Sequence, residues 1–457
     1  MSSILSNIKW LKGCFLLLAL TLFVQPSWAG QPTSAPAPTS PIQLNLSVGH
    51  PWLMHKTNQK TFIKVALKGL ELRKKTKRAP LNLAIVLDRS GSMSGVKLKK
   101  AKEAAKLAVS LMRPNDIVSL VTYDSTIEVL VPATKLTDSN RTAMLKKIDA
   151  VKSRGWTALW GGVKQGIAEV KKFLDKNRVN RVVLLSDGQA NVGPRTPAAM
   201  AKLAQASAKM GIAITTVGLG LGYNEDIMTQ LAQHSDGNHG FAKNATDLQR
   251  IFQSELGNLI AVVAQDIEIE IVCPPGVKPI RILDRKATIV GRTIKVKWNQ
   301  LYSRQYKYML VEVDVTGKTK QARMNLAQVK VHFNNMQNQK RESVQQTTTV
   351  QFTESIKVVN QHTNKTMMAH ITEARANEIT KKAVTLRDKG KLKQAKAMLV
   401  KNAKWLTKMS KRYKSKRLLK FAKENKRNAK HMSSYRWNSI RKGMRKSQYL
   451  RSNQTTW

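Results

Sequence analysis

The rhythm of apolar and polar positions changes four times along this chain, and each change predicts a different architecture. Between 42 and 79, "IQLNLSV" and "TFIKVALKGLEL" alternate apolar with polar residues, which predicts two or three half-buried strands. From 80 to 261 the apolar runs become continuous ("LNLAIVLD", "DIVSLVTYD", "RVVLLSDG", "IAITTVGLG") and are separated by helical segments. Strands that are apolar on both faces, alternating with helices, predict a mostly parallel sheet covered on both sides. Alternation returns between 262 and 356 in "DIEIEIV", "RTIKVKW" and "YKYMLVEVDV", predicting an antiparallel sandwich. The strands at 42–79 have too little surface to fold alone. They are expected to complete that sandwich, with the α/β domain inserted between its parts. Over 366–410 the period becomes helical. Met368, Ile371, Ile379, Ala383 and Leu386 share a face, Gly390 follows as a helix-terminating residue, and Leu392, Ala395, Leu399, Ala403 and Leu406 continue, which predicts a helical hairpin. Residues 411–457 are expected to form a basic tail.

The first 41 residues bear on compartment. Lys9 and Lys12 precede the apolar run "GCFLLLALTLFV" (13–24), and Ser27-Trp28-Ala29 offers small residues for cleavage, so 1–29 reads as a secretory signal peptide. The run meets Gln25-Pro26 well before the roughly 20 residues a membrane span needs. A Pro/Ser/Thr-rich linker occupies 30–41. The chain is therefore expected to be exported: periplasmic, cell-surface or secreted. Of its two cysteines, Cys14 lies in the leader. Cys273 ends an alternating strand segment and is expected to be buried and inert.

Candidate chemistry sits at the ends of the continuous apolar strands. "LNLAIVLDRSGSM" puts Asp88, Ser90 and Ser92 after one strand, "GWTALWGG" puts Thr157 on a later loop, and "VVLLSDGQ" puts Asp187 after another strand. Ligands of open α/β sheets bind at the carboxyl ends of strands, so three loops are expected to bring two carboxylates and three hydroxyls together. A donor set of oxygen alone favours Mg²⁺, with Mn²⁺ or Ca²⁺ as alternatives, over zinc. Read separately, Asp88 and Ser90 could cap the next helix and Asp187-Gly188 could be a turn, but that does not account for the joint order.

The order strand, Asp-x-Ser-x-Ser, helix, Thr loop, strand, Ser-Asp-Gly resembles the von Willebrand factor type A domain over roughly residues 80–260. The flanking strand regions are similar to inter-alpha-trypsin inhibitor heavy chains and to bacterial proteins named after calcium-activated chloride channels. The resemblance implies a Rossmann-like fold. It also implies a metal-ion-dependent adhesion site in which Ser90, Ser92 and Thr157 ligate the cation directly, while Asp88 and Asp187 act directly or through water. The implied function is non-enzymatic: capture of an Asp or Glu presented by a protein partner. Arg89 and Trp156 are candidate partner contacts. A metal-dependent hydrolase is the disfavoured alternative, since no nucleophile or base stands beside Asp88 in a recognisable arrangement and HExxH is absent. His234, Asp236 and His239 cluster in sequence, but with no metal-ligand spacing.

Charge adds a second partner class. Lys and Arg number 79 against 28 Asp and Glu, a formal charge of +51, and after Asp388 the one acidic residue is Glu424. Such an excess attracts polyanions. The C-terminal tail is expected to engage anionic lipid, lipopolysaccharide or another envelope polyanion, the alternative being a solvated arm. Nucleic acid is disfavoured by export and by the lack of zinc-finger spacing or RNP-type aromatics.

Overall fold

The N-terminal strands β1 (Ile42–Val48), β2 (Trp52–Met54) and β3 (Gln59–Gly69) bury their apolar positions against strands from much later in the chain. The computed structural model describes residues 40–71, 78–187, 190–220, 222–242, 244–284, 287–319, 322–433, 435 and 437–454. The expected signal peptide and most of the linker lie outside the described residues.

The inserted α/β domain runs β4 (Leu81–Asp88), α1 (Val96–Leu111), β5 (Ile117–Tyr123), β6 (Ile127–Lys135), α2 (Asp138–Asp149), α3 (Leu159–Lys171), β7 (Val179–Ser186), α4 (Pro197–Lys209), β8 (Ala213–Leu219), α5 (Glu225–His234), β9 (His239–Ala242) and α6 (Ala245–Leu259). Its sheet has the order β6-β5-β4-β7-β8-β9, with β6 antiparallel to β5 and the remaining pairs parallel. Every residue of β4, β5, β7 and β8 is buried, because helices cover both faces. Ile85, Leu87 and Val183 pack into one core with α1, while Val86, Val182 and Leu184 pack into the other with α3. Two glycines of α3 are packing residues: a Cβ on Gly162 would lie 2.5 Å from the Tyr123 ring, and one on Gly166 2.4 Å from Val86.

The sandwich comprises β10 (Val262–Val272), β11 (Val277–Ile282), β12 (Thr288–Val290), β13 (Thr293–Tyr302), β14 (Tyr306–Val315), β15 (Arg323–Asn335) and β16 (Arg341–Thr353). One sheet has the order β1-β3-β14-β11 and the other β12-β13-β10-β15-β16-β2, so the early strands are built into both. β3 and β14 pair without interruption from Gln59↔Val315 to Lys68↔Tyr306. Cys273 is buried in this core, and burial pushes its thiol up to about 11.

Helices α7 (Ile356–Gln361), α8 (Lys365–Asp388), α9 (Leu392–Arg412), α10 (Lys416–His431) and α11 (Trp437–Asn453) complete the fold. Gly390, at φ +78°, lets the chain leave α8 by donating to the Arg387 carbonyl, while Lys391 N–H bonds the Leu386 carbonyl. α8 places Met367 and Ile371 on Phe62, Ala66, Tyr308 and Leu310 of the four-stranded sheet. The residues expected as a basic tail are mostly helical: α10 buries Leu418 and Phe421, and α11 buries Trp437, Met444 and Tyr449.

What the sandwich and the helices leave uncovered positions the site. Arg181, near the start of β7, donates to Gln300 and to the Tyr302 hydroxyl at 2.5 and 2.6 Å, and Gln265 donates to the Arg178 carbonyl. The sandwich thus attaches at the amino ends of the parallel strands. Their carboxyl ends point the other way.

Candidate metal centre

β4 and β7 are adjacent and parallel, so Asp88 and Asp187 emerge side by side at the carboxyl end of the sheet. Both are buried, as are Ser90 and Thr157, while Ser92 is exposed. Asp88 Oδ1 accepts the Ser90 amide at 2.8 Å and Oδ2 accepts the Ser186 hydroxyl at 2.6 Å. Ser90 and Ser92 hydroxyls lie 3.2 Å apart, and Ser92 donates to Asp187 Oδ1 at 2.9 Å. Four of the five sequence-predicted donors therefore form one chain of contacts: Asp88, Ser90, Ser92, Asp187.

Thr157 joins them through its backbone. Its amide donates to Asn191 Oδ1 at 2.7 Å, and its carbonyl accepts the Asn191 and Val192 amides, which ties it to the loop after Asp187. On the other side the Gly91 amide bonds the Gly155 carbonyl at 3.0 Å. Gly155 sits at φ +68°, and a Cβ there would meet the Ser125 hydroxyl at 2.8 Å, so this close loop crossing requires glycine. The Thr157 loop is held between the other two.

Electrostatics at the site follow from burial. Burial pushes the Asp88 carboxyl above its usual range. Hydrogen bonds from Ser186 and Ser90 oppose that rise, and the like charge of Asp187 adds to it. A cation beside two buried acids relieves both effects. The side-chain cation present is Lys97, at the start of α1: its ammonium pairs with Asp187 Oδ2 and donates to the Ser92 carbonyl at 3.0 Å. Among the described residues no three His, Cys, Asp or Glu side chains cluster as metal ligands. The donor set is two carboxylates with hydroxyls, which fits a hard divalent cation such as Mg²⁺.

One sequence expectation needs correction. Arg89 does not face a partner. Its side chain is buried, donates to Asp124 at 2.7 Å and pairs with Glu128 at 2.7 Å, and so fastens the first loop to β5 and β6. Burial alone pushes Asp124 up, but hydrogen bonds from Arg154, the Thr126 amide and Arg89 hold it well below the ordinary carboxylate range. Trp156, by contrast, is 68% exposed beside Thr157. His234, Asp236 and His239, whose spacing suggested no metal site, have separate surroundings. His239 is buried against Thr216 and Tyr223, while Asp236 pairs with Lys307 and accepts the Asn299 amide.

Sequence reasoning missed Ser186, Asn191, Asp124 and Lys97. Ser186 was visible in principle, being adjacent to Asp187. The others became visible only when loops distant in sequence met.

Residues 82–254 match the von Willebrand factor type A domain. The chain is 27% identical over 228 residues to the uncharacterized protein YfbK of Escherichia coli, half of this chain and 38% of that one. It is 28% identical over 173 residues to human inter-alpha-trypsin inhibitor heavy chain H3, covering 36% of this chain and 19% of that one. Both relatives extend well beyond the matched part. Among solved structures, a von Willebrand factor type A protein from Catenulispora acidiphila superposes with a TM-score of 0.69 at 14% identity, covering 91% of this chain and 97% of that one. The shared fold therefore takes in the sandwich and helices as well as the α/β domain.

Proposed function

We propose that this chain, whose residues 82–254 are a von Willebrand factor type A domain, captures an acidic side chain of a protein partner through a divalent cation, Mg²⁺ by preference. Domains of this type commonly serve protein–protein interaction and adhesion. The finer reading rests on one observation. Two buried carboxylates, Asp88 and Asp187, share the open end of the sheet with Ser90, Ser92 and Thr157, and the side-chain cation that reaches Asp187 is the half-exposed Lys97.

Asp88, Ser90, Ser92, Thr157 and Asp187 would hold the ion. When bound, it supplies a Lewis-acidic site that accepts a partner's carboxylate. The chain's own groups do the positioning. Ser186 and the Ser90 amide orient Asp88, Ser92 aligns Asp187, and Asn191 fixes Thr157. The exposed Trp156 offers an apolar rim, as aromatic anchors do at interfaces. On the leader-like residues 1–29, we place this capture outside the cytoplasm.

The test is a thermal melt with Mg²⁺, Mn²⁺ or Ca²⁺ against chelator. A bound ion stabilises the native state by mass action, so the melting temperature should rise with metal in the native chain and not in Asp88→Ala or Asp187→Ala. An equal shift in both variants would remove the assignment.

A further inference from the structure

The positive charge of the C-terminal helices divides into two populations with different fates. On α11 it is turned inward. Arg441 pairs with Glu225, Asp226 and Asp388, Lys442 with Glu225, Arg445 with Asp226, and Arg451 with Glu424. These residues are the mortar between α11 and the rest of the protein, and they are not available to a partner.

α9 and α10 differ. Each carries seven Lys and Arg, against no acid in α9 and Glu424 alone in α10. Helical spacing sorts them. On α9 the buried side is Ala395, Leu399, Asn402 and Leu406, and the opposite side carries exposed Lys393, Lys404, Lys408 and Lys411. On α10 the buried side is Leu418, Phe421, Ala422 and Asn425, and the opposite side carries exposed Lys416, Lys420, Lys423 and Arg427. Apart from Arg417, which pairs with Glu373, none has an ion pair with a described residue. The two helices are consecutive and pack side by side. Each basic face also has an apolar residue in its midst: Val400 on α9 (38% exposed) and Leu419 on α10 (40%).

We propose that the outer face of the α9–α10 hairpin docks on an anionic phospholipid membrane surface. Three features select that occupant among polyanions. The cations are mostly lysines, point charges suited to a diffuse field of phosphates, whereas reading of base edges favours arginine forks. Exposed aliphatic side chains among the charges suit shallow insertion at a headgroup boundary. The aromatics nearest the two basic faces, Trp405 and Tyr413, are half-buried against α10, and the exposed Tyr435 lies beyond the end of α10. Docking is independent of the metal centre, since no residue is shared.

The experiment is co-sedimentation of the full chain with vesicles of mixed phosphatidylcholine and phosphatidylglycerol, and with vesicles of phosphatidylcholine alone. Binding is expected to the anionic vesicles only, falling steeply as salt rises and unchanged by chelator. At about 1 kcal/mol per basic residue near an anionic surface, the variant K416Q/K420Q/K423Q/R427Q should bind roughly a thousandfold more weakly. A second variant with the same charge loss elsewhere, K135Q/K146Q/K152Q/K171Q, should bind within a few-fold of the native chain. L419S should weaken binding without altering its salt dependence. Equal loss in both quadruple variants would reduce the effect to net charge and overturn the proposal. Absence of vesicle binding would overturn it too, and if a single-stranded oligonucleotide bound instead, the face would belong to nucleic acid.

Discussion

The Lys97 ammonium reaches across from the start of α1 to the buried carboxylate of Asp187, which lies 90 residues further along the chain. This internal cation contacts two of the loops that would hold a divalent ion, and 43% of its side chain is exposed, so it can withdraw into solvent. Removing it as Lys97→Met should free Asp187. Mg²⁺ affinity, measured by calorimetry, should rise about two- to tenfold, in line with a half-exposed ion pair of up to roughly 1 kcal/mol plus relief of like-charge repulsion. Weaker binding in the variant would mean that Lys97 supports the loop and does not compete with the ion.

Arg181 tests the joint between the two domains. Its guanidinium is fully buried, bonded to Thr215, Gln300 and Tyr302, with Glu255 at 3.8 Å. Arg181→Met leaves Glu255 buried without its cation, and loss of one partner from a buried pair costs about 3–5 kcal/mol. Urea unfolding should show that loss. A change under about 1 kcal/mol would indicate that Thr215 and Asn238 satisfy Glu255 by themselves.

The last helix is predicted to be structural. Lys442 is buried, donates to the Tyr223 carbonyl at 2.6 Å and pairs with Glu225. Lys442→Met should lower stability by about 1–3 kcal/mol, because the buried Tyr223 carbonyl loses its donor while Arg441 still pairs with Glu225. A melting temperature equal to that of the native chain would contradict the docking of α11.

Acid should loosen the protein through the buried His239 and the half-buried His370. Burial lowers His239 to about 3. Burial, then Lys64 and Arg417, lowers His370 to about 4, against an ordinary 6.5. Between about 4 and 6.5 the unfolded chain binds protons that the folded chain refuses, so stability present above pH 6.5 is lost as pH falls through that window. The Lys64 ammonium donates to His370 Nδ1 at 3.1 Å. His370→Gln keeps an acceptor and removes the titration, so its melting temperature should fall less between pH 6.5 and 4. An identical pH profile would show that His370 does not contribute.

Much of this protein is legible in its sequence, because periodicity is a local property. Continuous apolar runs such as "LNLAIVLD" mark strands covered on both faces, and alternation marks the sandwich. Asp-x-Ser-x-Ser and Ser-Asp-Gly mark the candidate site, since each lies where a buried strand must end. Even the insertion of one domain into the other could be inferred, because the strand segment at 42–79 has too little surface to fold alone. Burial and pairing are different. Nothing local distinguishes Arg441 and Lys442, which meet acids more than two hundred residues away, from Lys416 and Lys420, which face solvent. The same holds for Arg89, whose place in the motif suggested a partner contact but which pairs with the buried Asp124 and with Glu128 at the surface. A charged side chain's fate depends on whether an opposite charge reaches it across the fold. Only tertiary structure decides that, because the desolvation of an ion is set by everything packed around it and not by its neighbours along the chain.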